Sequence, residues 1–304
     1  MSQQNVVVVF GVNGRQGGAV ATALAQSGQY CVRGIATDAQ SSTSQELREA
    51  GVDVVNLDLN DRDGVQNALR SADACFITTT TDFDDPNCLD TEIAQGCLMA
   101  DHCLTAKVQH VIFSTQLHSY NVCSLMARHL VAKAEIEKYM RDLGLPLTCL
   151  IVPVCYESVF DLFRPKSRDA KQYDIEIPMG TMPLDMISVD DLGSIVLSLL
   201  QRKDQYLDKT LSVCGDKITV REIAGVLNKY LRPKTFKDKQ LTVYDFSQKN
   251  SSVLKGCTDW ANMFQFFQRV DQRYNLSVSK QLNPKLRSFD QWAQENAAEL
   301  GSRL

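Results

Sequence analysis

The stretch VVVVFGVNGRQGG, Val6 to Gly18, restricts the fold more than any other part of the chain. Its apolar run from Val6 to Phe10 has no polar interruption, the pattern of a strand buried on both faces. Gly11, Gly14 and Gly17 then follow at intervals of three. The first glycine permits a sharp turn, the second lets backbone approach a diphosphate with no Cβ in the way, and the third lets the next helix pack close to the strand. The helix that starts here aims free amides and its positive end at a phosphate. The residues of this cradle are Gly11, Val12, Asn13, Gly14, Arg15, Gln16 and Gly17.

The pattern repeats through the first half. Apolar strand segments are expected at Val6–Phe10, Cys31–Ala36, Val52–Leu57, Ala74–Thr78, Val111–Ser114 and Leu147–Val152. Helical periodicity separates them at Gly17–Gln26, Ser44–Ala50, from Asp61 towards Arg70, at Asp90–Ala106 and at Ser124–Leu143. Strands separated by helices must pair in parallel, with nearly fixed crossover handedness. The expectation is an α/β fold: a Rossmann-type doubly wound parallel sheet over residues 1–153. After Pro153 the rhythm breaks. Phe160–Tyr173 reads as charged loop, Asp174–Ile177 as a strand, and Thr219–Leu231 as an amphipathic helix, while Asp190 or Asp191 is placed to cap a helix. Residues 154–304 are expected to form a smaller C-terminal α+β lobe, parts of which can return to the sheet.

Composition excludes other classes. The 304 residues are 44% apolar and carry a net charge of -4 with no basic block, so direct nucleic-acid binding is not expected. No run approaches the roughly 20 apolar residues that span a bilayer, and Val6–Phe10 is too short for a signal peptide, so an intracellular protein without membrane partners is expected. Ten cysteines include no Cys-x-x-Cys pair, and Cys97, His102 and Cys103 match no ligand frame, so no metal is expected.

GVNGRQGGAVATAL, NLDLND, LGLPLT, CYES and MPLDMISVDDLGSIVLSLL resemble the NmrA-like family, an atypical branch of the short-chain dehydrogenase/reductase superfamily. DWANMFQFF and LNPKLRSFDQW resemble vertebrate members of it. The resemblance implies NADP(H) binding, often without turnover. It carries cofactor contacts onto Thr37, Asp38, Asp58, Leu59, Thr79, Thr80, Thr81, Lys133, Cys155, Tyr156, Glu157 and Ser158. Three positions depart from the resemblance, one of them Ser158, where a relative has Asn. Thr37 stands where NADP(H)-preferring members place an Arg on the 2′-phosphate, and Ala94 stands where a relative has Lys. Asp38 would repel a 2′-phosphate and suits the ribose hydroxyls of NAD(H) instead. Asp58 has a second reading as a helix cap beside Asn60 and Asp61.

Redox members of the superfamily use Ser, Tyr and Lys, with Tyr-x-x-x-Lys on one helix. Here the pair reads His129-Leu-Val-Ala-Lys133, with Ser114 after the fifth strand. Three readings follow. The chain is a nucleotide-responsive regulator, an oxidoreductase working through Ser114, His129 and Lys133, or an interaction scaffold that has lost its nucleotide. The resemblance implies regulatory protein partners, is compatible with a homodimer, and points to the cytoplasm with a nuclear role open to it.

Overall fold

The computed structural model of the chain describes residues 4–304. In chain order the first half runs β1 (Asn5–Phe10), α1 (Arg15–Gln26), β2 (Tyr30–Ala36), α2 (Ser42–Glu49), β3 (Asp53–Asn56), α3 (Arg62–Ala68), β4 (Ala74–Ile77), α4 (Cys88–Thr105), β5 (His110–Thr115), α5 (Ser119–Cys123), α6 (Arg128–Asp142) and β6 (Leu147–Ile151). There follow β7 (Val154–Cys155), β8 (Lys166–Ser167), β9 (Gln172–Ile175), β10 (Leu184–Ile187), α7 (Val189–Gln201), α8 (Lys203–Tyr206), β11 (Thr210–Ser212), β12 (Asp216–Ile218), α9 (Val220–Tyr230) and β13 (Thr235–Asp238), then five further helices. The chain divides into two compact units. One comprises residues 1–118, 128–151 and 192–211, the other 119–127, 152–191 and 212–304.

The first unit is built on a seven-stranded sheet in the order β11-β6-β5-β4-β1-β2-β3. All pairs from β3 to β6 are parallel. Val7, Val8, Val9 and Phe10 of β1 are completely buried, as its unbroken apolar run requires of a central strand covered on both faces. On one face, Phe10, Ile77, Phe113, Met99, Ile136 and Met140 belong to a continuous apolar core. Turn and cap chemistry sets the element ends. Ser41 and Asp61 cap α2 and α3 by accepting from Ser44 N and Gly64 N.

The helix expected from Ser124 starts four residues later, at Arg128, and α5 precedes it as a separate element. Ser124 has φ +57°, a left-handed conformation that stops α5, and α6 begins only at Arg128. The apolar stripe from Ile136 to Leu143 reads correctly, but a periodicity argument does not see a backbone reversal upstream of it.

The second unit holds two three-stranded sheets, β12-β10-β7 and β13-β9-β8. Its core includes an aromatic cluster. Tyr156 lies 5.3 Å from Phe289 and 5.6 Å from Trp292, ring centre to ring centre. Thr219 caps α9 in a reciprocal capping box with Glu222. The cap expected from Asp190 or Asp191 is corrected. Asp191 accepts instead from Asn283 Nδ2 and from the Arg287 backbone N–H and Nε, at 3.1–3.3 Å, and it is Glu157 that accepts from Val189 N at the start of α7.

Candidate nucleotide-binding site

The three loop glycines have different reasons to be glycine. Gly11 has φ +76°, and a Cβ on it would sit 2.8 Å from the Thr78 carbonyl oxygen. A Cβ on buried Gly17 would collide with the Gly11 carbonyl. Both are required by the chain's own packing. Gly14 is exposed with φ -86°, and its Cβ would sit 3.3 Å from the Gly11 oxygen, a tight contact that a small shift relieves. Packing therefore does not demand Gly14 as it does the other two. It also begins α1, which has no side-chain cap and no acidic residue in its first turn. A bare helix start behind an open glycine fits an anionic diphosphate.

Asn13 shapes the loop after β2. Its Oδ1 accepts from Thr37 N at 2.9 Å and Asp38 N at 3.3 Å, and its Nδ2 donates to the Asp38 carbonyl, Ser41 Oγ and Ser44 Oγ at 3.0–3.1 Å. The sequence reading placed Asn13 in the cradle, and its amide is spent inside the protein. Thr37 and Asp38 are both exposed, and the Asp38 carboxylate accepts from Gln40 N at 2.9 Å. Asp58 likewise accepts from its neighbour Asn60, through backbone and side chain, at 2.9 Å, while Asp61 supplies the helix cap. Leu59 packs against the core.

Beyond β4 lies a cluster that sequence reasoning missed. The carboxylate of Glu92, 1% exposed, accepts from Thr79 Oγ1 at 2.5 Å, from Thr81 Oγ1, and from Lys133 Nζ at 2.6 Å. Three residues expected to face a cofactor thus converge on a buried carboxylate, while Thr80 between them is exposed. The one sequence signal was a Glu on an apolar helical face. Cys88, Gly96 and Met99, at i−4, i+4 and i+7 from Glu92, are all buried. Ala94, where a relative carries Lys, is exposed on the same helix.

The residues of the superfamily's redox chemistry are also engaged. The Ser114 hydroxyl donates to Gln16 Oε1 at 2.7 Å, tying the end of β5 to the glycine loop. His129 is buried, with its ring edge-on to Phe83 at 5.8 Å, and the Arg128 guanidinium lies 5.8 Å from the same Phe83 ring. An imidazole packed on a phenyl ring occupies the position of the missing Tyr.

In the second unit Cys155 ends β7, half-buried. Tyr156 is fully buried, and its hydroxyl donates to the Arg287 carbonyl at 3.2 Å. Burial pushes its phenol well above the ordinary range. Glu157 accepts from Ser188 Oγ at 2.8 Å and Val189 N at 3.2 Å, and burial raises its carboxyl. The Ser158 carbonyl accepts from Phe163 N at 2.8 Å. The side chains of Tyr156 and Glu157 therefore act as structural members of this unit, around Arg287. Arg287, unremarked in the sequence reading, spreads its guanidinium over Asp191, Ser188 and Glu295 at 3.0–3.3 Å.

Comparison with known proteins places this geometry in context. The chain is 27% identical over 237 residues to the NmrA-like family domain-containing oxidoreductase cpsB of Aspergillus campestris, covering 71% of this chain and 69% of that protein. It is 23% identical over 239 residues to an NmrA-like family domain-containing protein of Dictyostelium discoideum, covering 75% and 78%. Its fold matches the crystal structure of NmrA, a negative transcriptional regulator in complex with NADP, with a TM-score of 0.83 at 16% identity, over 99% of this chain and 98% of that one. It also matches the triphenylmethane reductase of a Citrobacter species complexed with NADP(H), with a TM-score of 0.77 at 16% identity, over 96% and 99%. The model of the NmrA-like family matches residues 3–293, and the chain belongs to that family.

Proposed function

We propose that this protein is an NAD(P)(H)-responsive regulator that acts through contacts with other proteins and does not turn over a dehydrogenase substrate. The observation that carries the reading is the pair between buried Glu92 and half-buried Lys133, with Thr79 and Thr81 bound to the same carboxylate. In redox members of the superfamily the Lys lowers the pKa of a neighbouring Tyr and holds the nicotinamide ribose. Here the Tyr is His129, and the Lys133 ammonium is already neutralised by a carboxylate. The retained cradle and the missing acid together favour sensing over chemistry.

A bound nicotinamide dinucleotide would supply hydride chemistry. The parts of this chain suited to hold it are the open Gly14, the uncapped start of α1, and the two N–H groups of Lys133 not given to Glu92. NADP and NAD are both bound by NmrA in its solved structures. No guanidinium stands at Thr37 to grip a 2′-phosphate, so NAD(H) should bind at least as well as NADP(H). Nucleotide occupancy would favour one conformation of a partner-binding surface, by population shift. A homodimer and a cytoplasmic and nuclear distribution belong to the same reading. No described helix is long and apolar enough to cross a membrane.

The names of several relatives, oxidoreductase among them, favour a second reading in which His129 and Lys133 support slow reduction. Calorimetric titration with NADPH, NADP, NADH and NAD, followed by a hydride-transfer assay on a carbonyl and quinone panel, separates the two. Binding without transfer is expected. Transfer that is lost in His129→Ala would replace the regulator with an enzyme, and no binding of any of the four would leave a scaffold.

A further inference from the structure

A polar cavity lies at the opposite ends of the strands that lead to the glycine loop. It measures about 280 Å³ and is lined by Asn5, Tyr30, Asp73, His110 and Lys203, among others. The register brings these residues together. Asn5 pairs with Tyr30, Val7 with Ala74, and Ala74 with His110, so the starts of β2, β1, β4 and β5 stand side by side. Ligands of open α/β sheets ordinarily bind at the carboxyl ends of the strands, so nothing in the cradle chemistry accounts for a polar cavity at the amino ends.

His110 is the decisive group. It is 1% exposed, and its Nε2 lies 2.8 Å from Thr148 Oγ1. That hydroxyl gives its single proton to the Tyr206 carbonyl at 2.9 Å, so it can only accept from the imidazole. The ring therefore carries its proton on Nε2 and presents a lone pair at Nδ1. Nδ1 is buried and has no hydrogen-bond partner among the described residues. Burial, with Lys203 nearby, holds the ring pKa down to about 4, so Nδ1 remains an acceptor at neutral pH. A buried acceptor left unpaired is costly, and such groups in native proteins generally have a partner from outside the chain's own atoms.

The charges around it narrow that partner. Lys203 is half-buried and makes no ion pair among the described residues. Asp73 uses one oxygen to accept from Val6 N at 2.7 Å and keeps acceptor capacity on the other. A simple anion would satisfy Lys203 but meet the Asp73 carboxylate. A simple cation would satisfy Asp73 and His110 but meet Lys203. A molecule carrying both charges on adjacent atoms satisfies all three, and the volume is below that of a drug-sized pocket.

We propose that this cavity binds a small zwitterion of the α-amino acid class, its carboxylate on Lys203 and its ammonium on Asp73 and, once the ring tips toward the cavity, on the His110 Nδ1 lone pair. The site is separate from the nucleotide cradle and does not depend on it. It gives the protein a way to register a second metabolite.

The test is calorimetry and thermal shift on the full chain with the standard L-amino acids, and with N-acetyl-L-alanine, L-alanine methyl ester and propionate as controls. Saturable binding of one or more free amino acids is expected, with the three controls at least about tenfold weaker, since each lacks one charge-assisted contact. Lys203→Met removes no hydrogen bond from the fold and should lower the affinity about tenfold or more at an unchanged Tm of the ligand-free protein. Asp73→Asn should do the same for the ammonium. Absence of binding by every amino acid at millimolar concentration, equal binding of propionate, or full affinity in Lys203→Met would each overturn the proposal.

Discussion

The two ends of one sheet treat polar groups in opposite ways. At the carboxyl ends of the strands, where the sequence carries its motif, side chains are consumed within the chain. Asn13 holds the loop of Thr37 and Asp38, Ser114 holds Gln16, and Glu92 gathers Thr79, Thr81 and Lys133. What that end offers a ligand is chiefly backbone, the open glycine and the bare helix start. At the amino ends, where the sequence carries no motif, His110 Nδ1 has no partner and Lys203 no ion pair among the described residues. A motif thus marks where backbone is left open to a ligand, and unpaired side chains mark where a different ligand can bind.

The largest effect should come from breaking the crowded end. Lys133→Met leaves the Glu92 carboxylate buried without its cation and should cost about 3 kcal/mol or more of unfolding free energy, measured by urea denaturation. A loss below about 1 kcal/mol would mean that Glu92 is solvated and the crowding is not energetic. Glu92→Gln should cost less, because the amide still accepts from a Thr hydroxyl, and should tighten NADPH binding severalfold by releasing the ammonium. Weaker binding instead would show that Glu92 positions Lys133 and does not compete for it.

Next in size is the pH response of the other end. Unfolded, His110 titrates near its ordinary value of about 6.5, and folded it is held down to about 4. Between those values the unfolded chain takes up a proton that the native state refuses. Stability therefore falls as pH drops through this window, by up to about 3 kcal/mol, and is fully retained above it. Denaturation midpoints at pH 7 and pH 5 should separate in the wild type and converge in His110→Gln. An equal separation in both would remove His110 from the account.

Smaller effects sharpen the cradle. Thr37→Arg should improve NADPH affinity about tenfold with little change for NADH, by adding a charge-assisted contact to the 2′-phosphate. Equal gains for both would point to general charge and not to a phosphate grip. Gly14→Ala should change stability by no more than about 1 kcal/mol yet weaken every nucleotide, because the methyl faces ligand space and little else. Gly17→Ala should unfold the loop outright.

Much of the fold was legible in the residues. The run Val6–Phe10, the glycine spacing and the alternation of apolar segments with 3.6-periodic ones are local signals, and the six parallel strands follow from them. The failures share a cause. The reversal at Ser124 depends on one backbone dihedral that any residue's context can override. The role of Asp191 depends on Asn283 and Arg287, more than ninety residues away. Glu92 reads as an ordinary helical Glu until β4 and α6 bring Thr79, Thr81 and Lys133 onto it.

By itself the sequence determined a glycine loop behind the central strand of a parallel sheet and a His where the resemblance implies a Tyr in redox members. Both are matters of residue type at short spacing, and short-range geometry follows from the chain's own stereochemistry. Tertiary structure alone decided which polar groups remain available. Whether Lys133 faces a ligand or a carboxylate, and whether His110 keeps a free lone pair, depends on partners from distant strands and helices. Hydrogen bonds are exclusive, so a donor spent on one partner is lost to another, and only the folded chain shows how they are shared out.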